Sequence, residues 1–304
     1  MNTRILKLTA LILACILVTA CGSQQSCTPE TTAADSETVF ITDTATTPSP
    51  GYACAGERIT IIGDSISTFV GCVPRGTGYA TFYNGKNCGV SCMEETWWGR
   101  LITQTGMLLA KNQSVSGSCI TSGHRTDRIE ASNPIRTGDL CDEQGNPPDH
   151  IIIFMGTNDY ALGVQMGTYD GTGDFPEDTS SFREAYAVML SAIQKNYPFA
   201  KIYCCTLPYA GSKSKTLRPI DYNQNGELKA EWNDAIRDIA TLFHCQVIEL
   251  ANCGINAANL PYYAGDDAVD EDGVSEEGLV GRGLHPNAAG HELIYLEVLK
   301  HFAD

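Results

Sequence analysis

Ile151-Ile152-Ile153-Phe154-Met155 is an unbroken apolar run, followed at once by Gly156-Thr157-Asn158-Asp159. Apolar residues without polar alternation mark a strand buried on both faces, the habit of a parallel sheet held between helices. The chain on either side repeats the theme. Arg58-Ile59-Thr60-Ile61-Ile62 is a short strand pattern ending at Gly63. Trp98, Leu101, Ile102 and Thr105 then follow helical spacing. Ser181 with Glu184 reads as a capping box that opens a helix with Phe182, Tyr186, Met189, Leu190 and Ile193 on one face. Further strands are predicted over residues 201–207 and 246–250. A helix stripe of Leu228, Trp232, Ile236, Ile239 and Phe243 lies between them. A last helix over residues 287–302 presents Tyr295, Leu299 and Phe302. Alternating strands and helices predict an α/β domain: a central parallel sheet covered by helices on both faces. Ligands of such sheets bind beyond the carboxyl ends of the strands, so the loops there are where chemistry belongs.

The whole chain has 304 residues, with 20 basic and 36 acidic side chains and a formal net charge of −16. Such a charge repels phosphate backbones and excludes general nucleic-acid binding. A hydrophobic content of 43% excludes wholesale disorder. The 29 glycines follow no period, which excludes a collagen-like chain.

Three segments are expected. Residues 1–20 read as an export signal: Arg4 and Lys7 are followed by an uncharged stretch, residues 8–20, too short to span a bilayer. Leu17-Val18-Thr19-Ala20-Cys21 resembles a bacterial lipobox, which implies cleavage before Cys21 and lipid attachment to its thiol. Residues 21–56 are then a lipidated Cys and a flexible tether rich in Ser, Thr, Ala and Pro, and residues 57–304 the folded domain. The expected location is outside the cytoplasm, on a membrane, through the lipid anchor. The 13 cysteines form no paired zinc-binding spacing. Cys204 and Cys205 fall in a core strand, and Cys88 with Cys92 is the best local disulfide pair.

At the predicted strand ends stand four short blocks. Gly63-Asp64-Ser65-Ile66-Ser67 places Ser65 at a strand-to-helix junction, as an exposed nucleophile or as a plain helix cap. Asn158 is a side-chain donor suited to a developing oxyanion, or simply a turn former. Between them, Ser116-Gly117-Ser118 allows a backbone N–H to face a cavity. Gly283-Leu284-His285-Pro286-Asn287 puts His285 on a loop just before a helix, the best-placed general base among six histidines. The others, His124, His150, His244, His291 and His301, sit at structural or surface positions.

Ser65, Gly117, Asn158 and His285, in that order, resemble the four blocks of the SGNH (GDSL-type) hydrolase family over residues 59–302. The resemblance implies a flavodoxin-like three-layer α/β/α sandwich and cofactor-free, metal-free ester hydrolysis. By position, Ser65 is the nucleophile and His285 the base, and the Ser65 and Gly117 N–H groups with the Asn158 amide form the oxyanion hole. One position departs. Three residues before His285, where the family carries Asp, stands Arg282. A permanent cation cannot stabilise an imidazolium. Three arrangements follow: the Arg282 carbonyl orients His285; a carboxylate from Asp266, Asp267, Asp270, Asp272, Glu271, Glu276 or Glu277 folds back onto it; or the domain binds esters without cleaving them well.

Other motifs are weaker. Asp221-Tyr222-Asn223-Gln224-Asn225-Gly226 imitates the start of a calcium loop, but its twelfth position is Trp232, with Glu231 one place early. HExxH, GxGxxG and P-loop patterns are absent, and Ser67 occupies the last glycine position of a GxSxG elbow. Tyr79, Phe82, Tyr83, Trp97 and Trp98 lie close after the nucleophile, placed either to stack on substrate or to fill the core. The reading is an esterase, with a carbohydrate O-acetyl group the favoured substrate. A short-chain lipid esterase of lysophospholipase type and a weakly catalytic glycan-binding lipoprotein are the alternatives.

Overall fold

The computed structural model describes residues 51–210, 222–265 and 283–303. The expected export segment, Cys21, most of the expected tether, Asp221, the acidic run and Arg282 lie outside them. Five parallel strands make one sheet: β1 (Arg58–Gly63), β2 (Leu108–Asn112), β3 (His150–Phe154), β4 (Lys201–Cys205) and β5 (Gln246–Ile248). Their spatial order is β2-β1-β3-β4-β5. The chain runs outward from β1 to β2, then crosses back to the other side of β1. The order therefore reverses between β1 and β3, and loops leaving those two strands diverge to open a crevice. Gly63 pairs with Phe154, so both strands end level beneath it.

Helices cover both faces. They are α1 (Trp97–Thr105), α2 (Pro134–Gly138), α3 (Thr157–Leu162), α4 (Phe182–Asn196), α5 (Lys229–Leu242), α6 (Leu260–Tyr263) and α7 (Ala288–Leu299). The alternation of side chains along a strand divides the core. Ile151 and Ile153 face Phe182, Tyr186, Met189 and Trp232 of α4 and α5. Ile152 and Phe154 face Trp97, Trp98 and Leu101 of α1 and Ile294 and Val298 of α7. All of β3 is buried, which is why its sequence shows no polar alternation. Each such side chain contributes roughly 1.5–3 kcal/mol by leaving water.

Several expectations are corrected. β2 was not foreseen: it is an edge strand whose first four residues are only partly covered or exposed, so no burial pattern marks it. β4 and β5 stop two residues earlier than expected. The Ser181 hydroxyl donates to Glu184 Oε2 (2.7 Å) instead of capping α4, while Glu184 Oε1 accepts from the Thr168 and Tyr169 N–H groups. The buried row of α7 is Gly290, His291, Ile294 and Val298, with Tyr295 and Leu299 only partly covered. Cys92 is in a disulfide, but not with Cys88. Cys204 and Cys205 are buried thiols, as their strand predicts. Asn223 serves the turn itself, its Oδ1 accepting from the Asn225 and Glu227 N–H groups. Among the described residues no cluster of three His, Cys, Asp or Glu is placed to hold a metal ion, and no helix is long and apolar enough to cross a membrane.

Candidate active site

β1 delivers Ser65. Its last residue must be glycine: a Cβ on Gly63 would lie 2.5 Å from the Ser67 Cβ and 2.8 Å from the Ser114 Oγ. The chain then turns through a short 3-10 helix, Ser65–Ser67, capped by Asp64, whose Oδ1 accepts from the Ile66 N–H at 3.0 Å. The turn is held from behind by Trp97 Nε1, which donates to Ser67 Oγ, and by Trp98 Nε1 and Asn112 Nδ2, which donate to the Ser67 carbonyl. Both tryptophans are fully buried and take no part in the crevice.

His285 meets this turn from 220 residues away. Its Nε2 lies 2.7 Å from Ser65 Oγ, within hydrogen-bond distance and in the geometry a base needs to accept a hydroxyl proton. The loop carrying it is pinned on both sides. The Gly265 N–H donates to the His285 carbonyl at 2.7 Å. Asn287 caps α7 by accepting from the Gly290 N–H, while its own amide donates to the Tyr262 and Ala264 carbonyls. The Phe82 ring is stacked on the imidazole, centroids 3.6 Å apart and planes at 14°.

The opposite rim is built from the loops after β2 and β3. Gly117 has φ +75°, a conformation that favours glycine. Asn158, in the first turn of α3, donates from Nδ2 to the Ser118 carbonyl at 3.0 Å, which sets its amide beside the Gly117 loop. Asp159 grips the next two residues: its carboxylate accepts from the Ile120 N–H (3.0 Å), the Thr121 N–H (3.1 Å) and the Thr121 hydroxyl (2.8 Å). Arg136 of α2, wholly buried, ties the remaining strands of the site together. Its guanidinium donates to the Gly63 and Gln113 carbonyls (3.0 and 2.6 Å) and to Ser118 Oγ (3.0 Å).

Three buried charges thus lie under the site. Burial pushes the Asp64 carboxyl up to about 6, opposed by the Ile66 N–H, by the charge of His285 and by Thr157. Burial also raises Asp159, against the same N–H and hydroxyl bonds that make it a loop anchor. Burial pushes Arg136 down to about 10, with Asp64 among the groups that hold it charged. The structure therefore gathers Ser65 and His285 into one hydrogen bond and sets Asn158 against the Gly117 loop. Asp64, Asp159 and Arg136 were missed as site-building residues, and Phe82, foreseen as a core or substrate-stacking residue, instead stacks on His285. The two acids sit inside the recognised blocks and were open to notice. Nothing local marks Arg136, because the groups it joins, the Gly63 and Gln113 carbonyls and the Ser118 hydroxyl, lie far from it in sequence.

The GDSL-like lipase/acylhydrolase family matches residues 57–210. That stretch contains Ser65, Gly117 and Asn158 but not His285. No curated protein matches the chain. Among solved structures, a putative GDSL-like lipase from Bacteroides uniformis ATCC 8492 is 26% identical with a TM-score of 0.56, over 81% of this chain and 95% of that one. One from Bacteroides ovatus ATCC 8483 is 25% identical with a TM-score of 0.54, over 81% and 98%. The inhibitor-bound aryl esterase of M. smegmatis, 17% identical with a TM-score of 0.51 over 81% and 98%, shares the fold.

Proposed function

Because the chain belongs to the GDSL-like lipase/acylhydrolase family, we propose that it is a serine esterase cleaving short-acyl carboxylic esters through an acyl-enzyme. The observation that carries this is the 2.7 Å contact between Ser65 Oγ and His285 Nε2 at the carboxyl end of β1. In the reaction, Ser65 Oγ bonds to the acyl carbon as its proton passes to His285 Nε2. The carbonyl oxygen becomes an oxyanion facing the Ser65 and Gly117 N–H groups and the second N–H of the Asn158 amide. The tetrahedral species collapses, the bond to the alcohol oxygen breaks, and that oxygen takes the proton from His285. Water then repeats both steps on the acyl-enzyme, releasing the acid and restoring Ser65.

A short acyl group is supported by the hollow next to the Ser65 turn: Ile66, Thr157, Tyr160, Leu207, Lys229 and Leu284 line a small space with enclosed room of only about 20 Å³. For the alcohol half we favour a carbohydrate hydroxyl, on the strength of the export segment and Cys21, which would present the enzyme to extracellular polysaccharide esters. No metal or cofactor enters the scheme.

The test is hydrolysis of p-nitrophenyl acetate by the purified protein beside Ser65→Ala and His285→Ala. Both variants should lose at least about 10³-fold in kcat. Equal rates in all three proteins would sink the proposal. Acetate, butyrate and palmitate esters then rank the acyl groups, with acetate expected fastest, and acetate release from acetylated xylan tests the alcohol half.

A further inference from the structure

The loop between the Ser65 turn and α1 carries Phe82 and Tyr83, which a sequence reading assigns either to core or to substrate contact. Their contacts reach both members of the dyad. The Thr68 hydroxyl donates to the Ser65 carbonyl (2.9 Å) and accepts from the Phe82 N–H (2.9 Å), so one side chain joins the nucleophile's own peptide to that of Phe82. The Val70 N–H donates to the Tyr83 carbonyl at 2.8 Å, a second tie between the same two segments. On the other side, Tyr83 Oη donates to the Pro286 carbonyl at 2.8 Å, on the residue next to His285. The Phe82 ring lies flat on the imidazole at 3.6 Å, and the Tyr83 ring meets it edge-on at 6.3 Å.

We propose that Phe82 and Tyr83 are positioning residues that clamp His285 against Ser65, with the face of the Phe82 ring serving as a partner of the imidazolium formed during acyl transfer. Two physical effects combine. A stacked ring removes the freedom of the imidazole to rotate away from Ser65, which preserves a near-attack geometry. An aromatic face also attracts a cation more than a neutral ring, so it favours the state in which His285 holds the serine proton. The backbone ties fix the Phe82 peptide relative to that of Ser65, so the ring is carried on backbone held against the Ser65 turn. This role holds whatever group meets the far nitrogen of His285, and it suits a chain in which the family's usual acid position is Arg282. It rests on the esterase reading above.

The experiment compares Phe82→Leu, which keeps apolar volume but loses the aromatic face, with Phe82→Tyr, which keeps the face. On p-nitrophenyl acetate, Phe82→Leu should lose about 3- to 30-fold in kcat with KM changed less than about twofold. Phe82→Tyr should stay within about twofold of the parent in both. Thermal melting verifies that each variant is folded, and Phe82→Met replaces Phe82→Leu if the latter precipitates. If the parent is no faster than Ser65→Ala, the esterase reading falls and this role with it. If the parent is active, a Phe82→Leu kcat within twofold of it overturns the clamp alone, as does a Phe82→Tyr loss equal to that of Phe82→Leu.

Discussion

Asp159 shows how a single side chain can hold a site it does not touch. Its two oxygens accept three bonds from Ile120 and Thr121, just beyond the Gly117 turn, while its neighbour Asn158 reaches the Ser118 carbonyl. Asp159→Asn keeps the shape but turns an NH2 group toward backbone donors, leaving buried N–H groups unpaired. We expect kcat on p-nitrophenyl acetate to fall about 10- to 100-fold, less than the 10²- to 10³-fold loss expected of Asn158→Ala, because one removes a support and the other a donor. Steady-state kinetics of the two variants side by side decides it, and an Asp159→Asn enzyme with parental kcat would refute the support role. Residues of this kind divide the sequence's legibility. Ser65, Gly117, Asn158 and His285 were readable because each belongs to a short block: Ser65 and Asn158 at strand ends, Gly117 in a glycine turn and His285 just before a helix. Arg136 was not, because its meaning lies in contacts with segments far along the chain, Gly63 and Gln113, and the stacking of Phe82 on His285 is distant in the same way.

Among the elements, α7 teaches most, since its helix was foreseen and its buried face was not. Tyr295, Leu299 and Phe302 looked like the stripe, but the row facing α1 contains a histidine. His291 is fully buried, and its Nδ1 accepts from the Trp97 N–H at 3.2 Å, the first residue of α1. A polar residue used as a buried acceptor breaks the apolar period that sequence reading relies on. Edge strand β2 escaped for the opposite reason, having too little burial to leave a pattern. The histidine also makes the α1–α7 contact sensitive to pH. Burial, with the charges of Arg100 and His285, holds His291 down to about 3. Unfolding restores its ordinary affinity for a proton, so the unfolded chain takes up a proton below about 6.5 that the native state refuses. Stability linked to His291 is therefore complete above pH 6.5 and lost as pH falls from there toward 3. Asp64 and Asp159, raised by burial, act with the opposite sign over part of this range, so the parent's own pH profile mixes the two. The comparison with His291→Gln isolates the histidine. In urea unfolding the stability advantage of the parent should shrink by about 2–3 kcal/mol between pH 7.5 and pH 4.5. An advantage that stays constant would show that His291 does not titrate across the transition.

At the scale of the molecule, the order β2-β1-β3-β4-β5 places the chemistry and the chain's entry at opposite ends of one strand. β1 begins at Arg58, just after the segment expected to be a tether, and ends at Gly63, two residues before Ser65. The reversal between β1 and β3 explains why Ser65 and Asn158, more than 90 residues apart, belong to one crevice. The parallel sheet and its covering helices followed from alternating strand and helix patterns; the strand order did not, since edge strand β2 left no pattern. Attachment is the part of the proposal that rests on residues 1–21 alone. If Cys21 carries a lipid, the chain is held through the amino end of β1, away from the nucleophile, and the anchor and the reaction are independent. Cys21→Ser in the full-length protein, expressed in a bacterial host, should therefore move the protein from the membrane fraction to the soluble one. The rate per mole on a small ester such as p-nitrophenyl acetate should change less than about twofold, since no binding contact near Ser65 is altered. Fractionation with the esterase assay on both fractions measures the two quantities together. Parent and variant partitioning alike would remove the anchor from the proposal, and with it the reason to prefer a polysaccharide over a soluble ester as substrate.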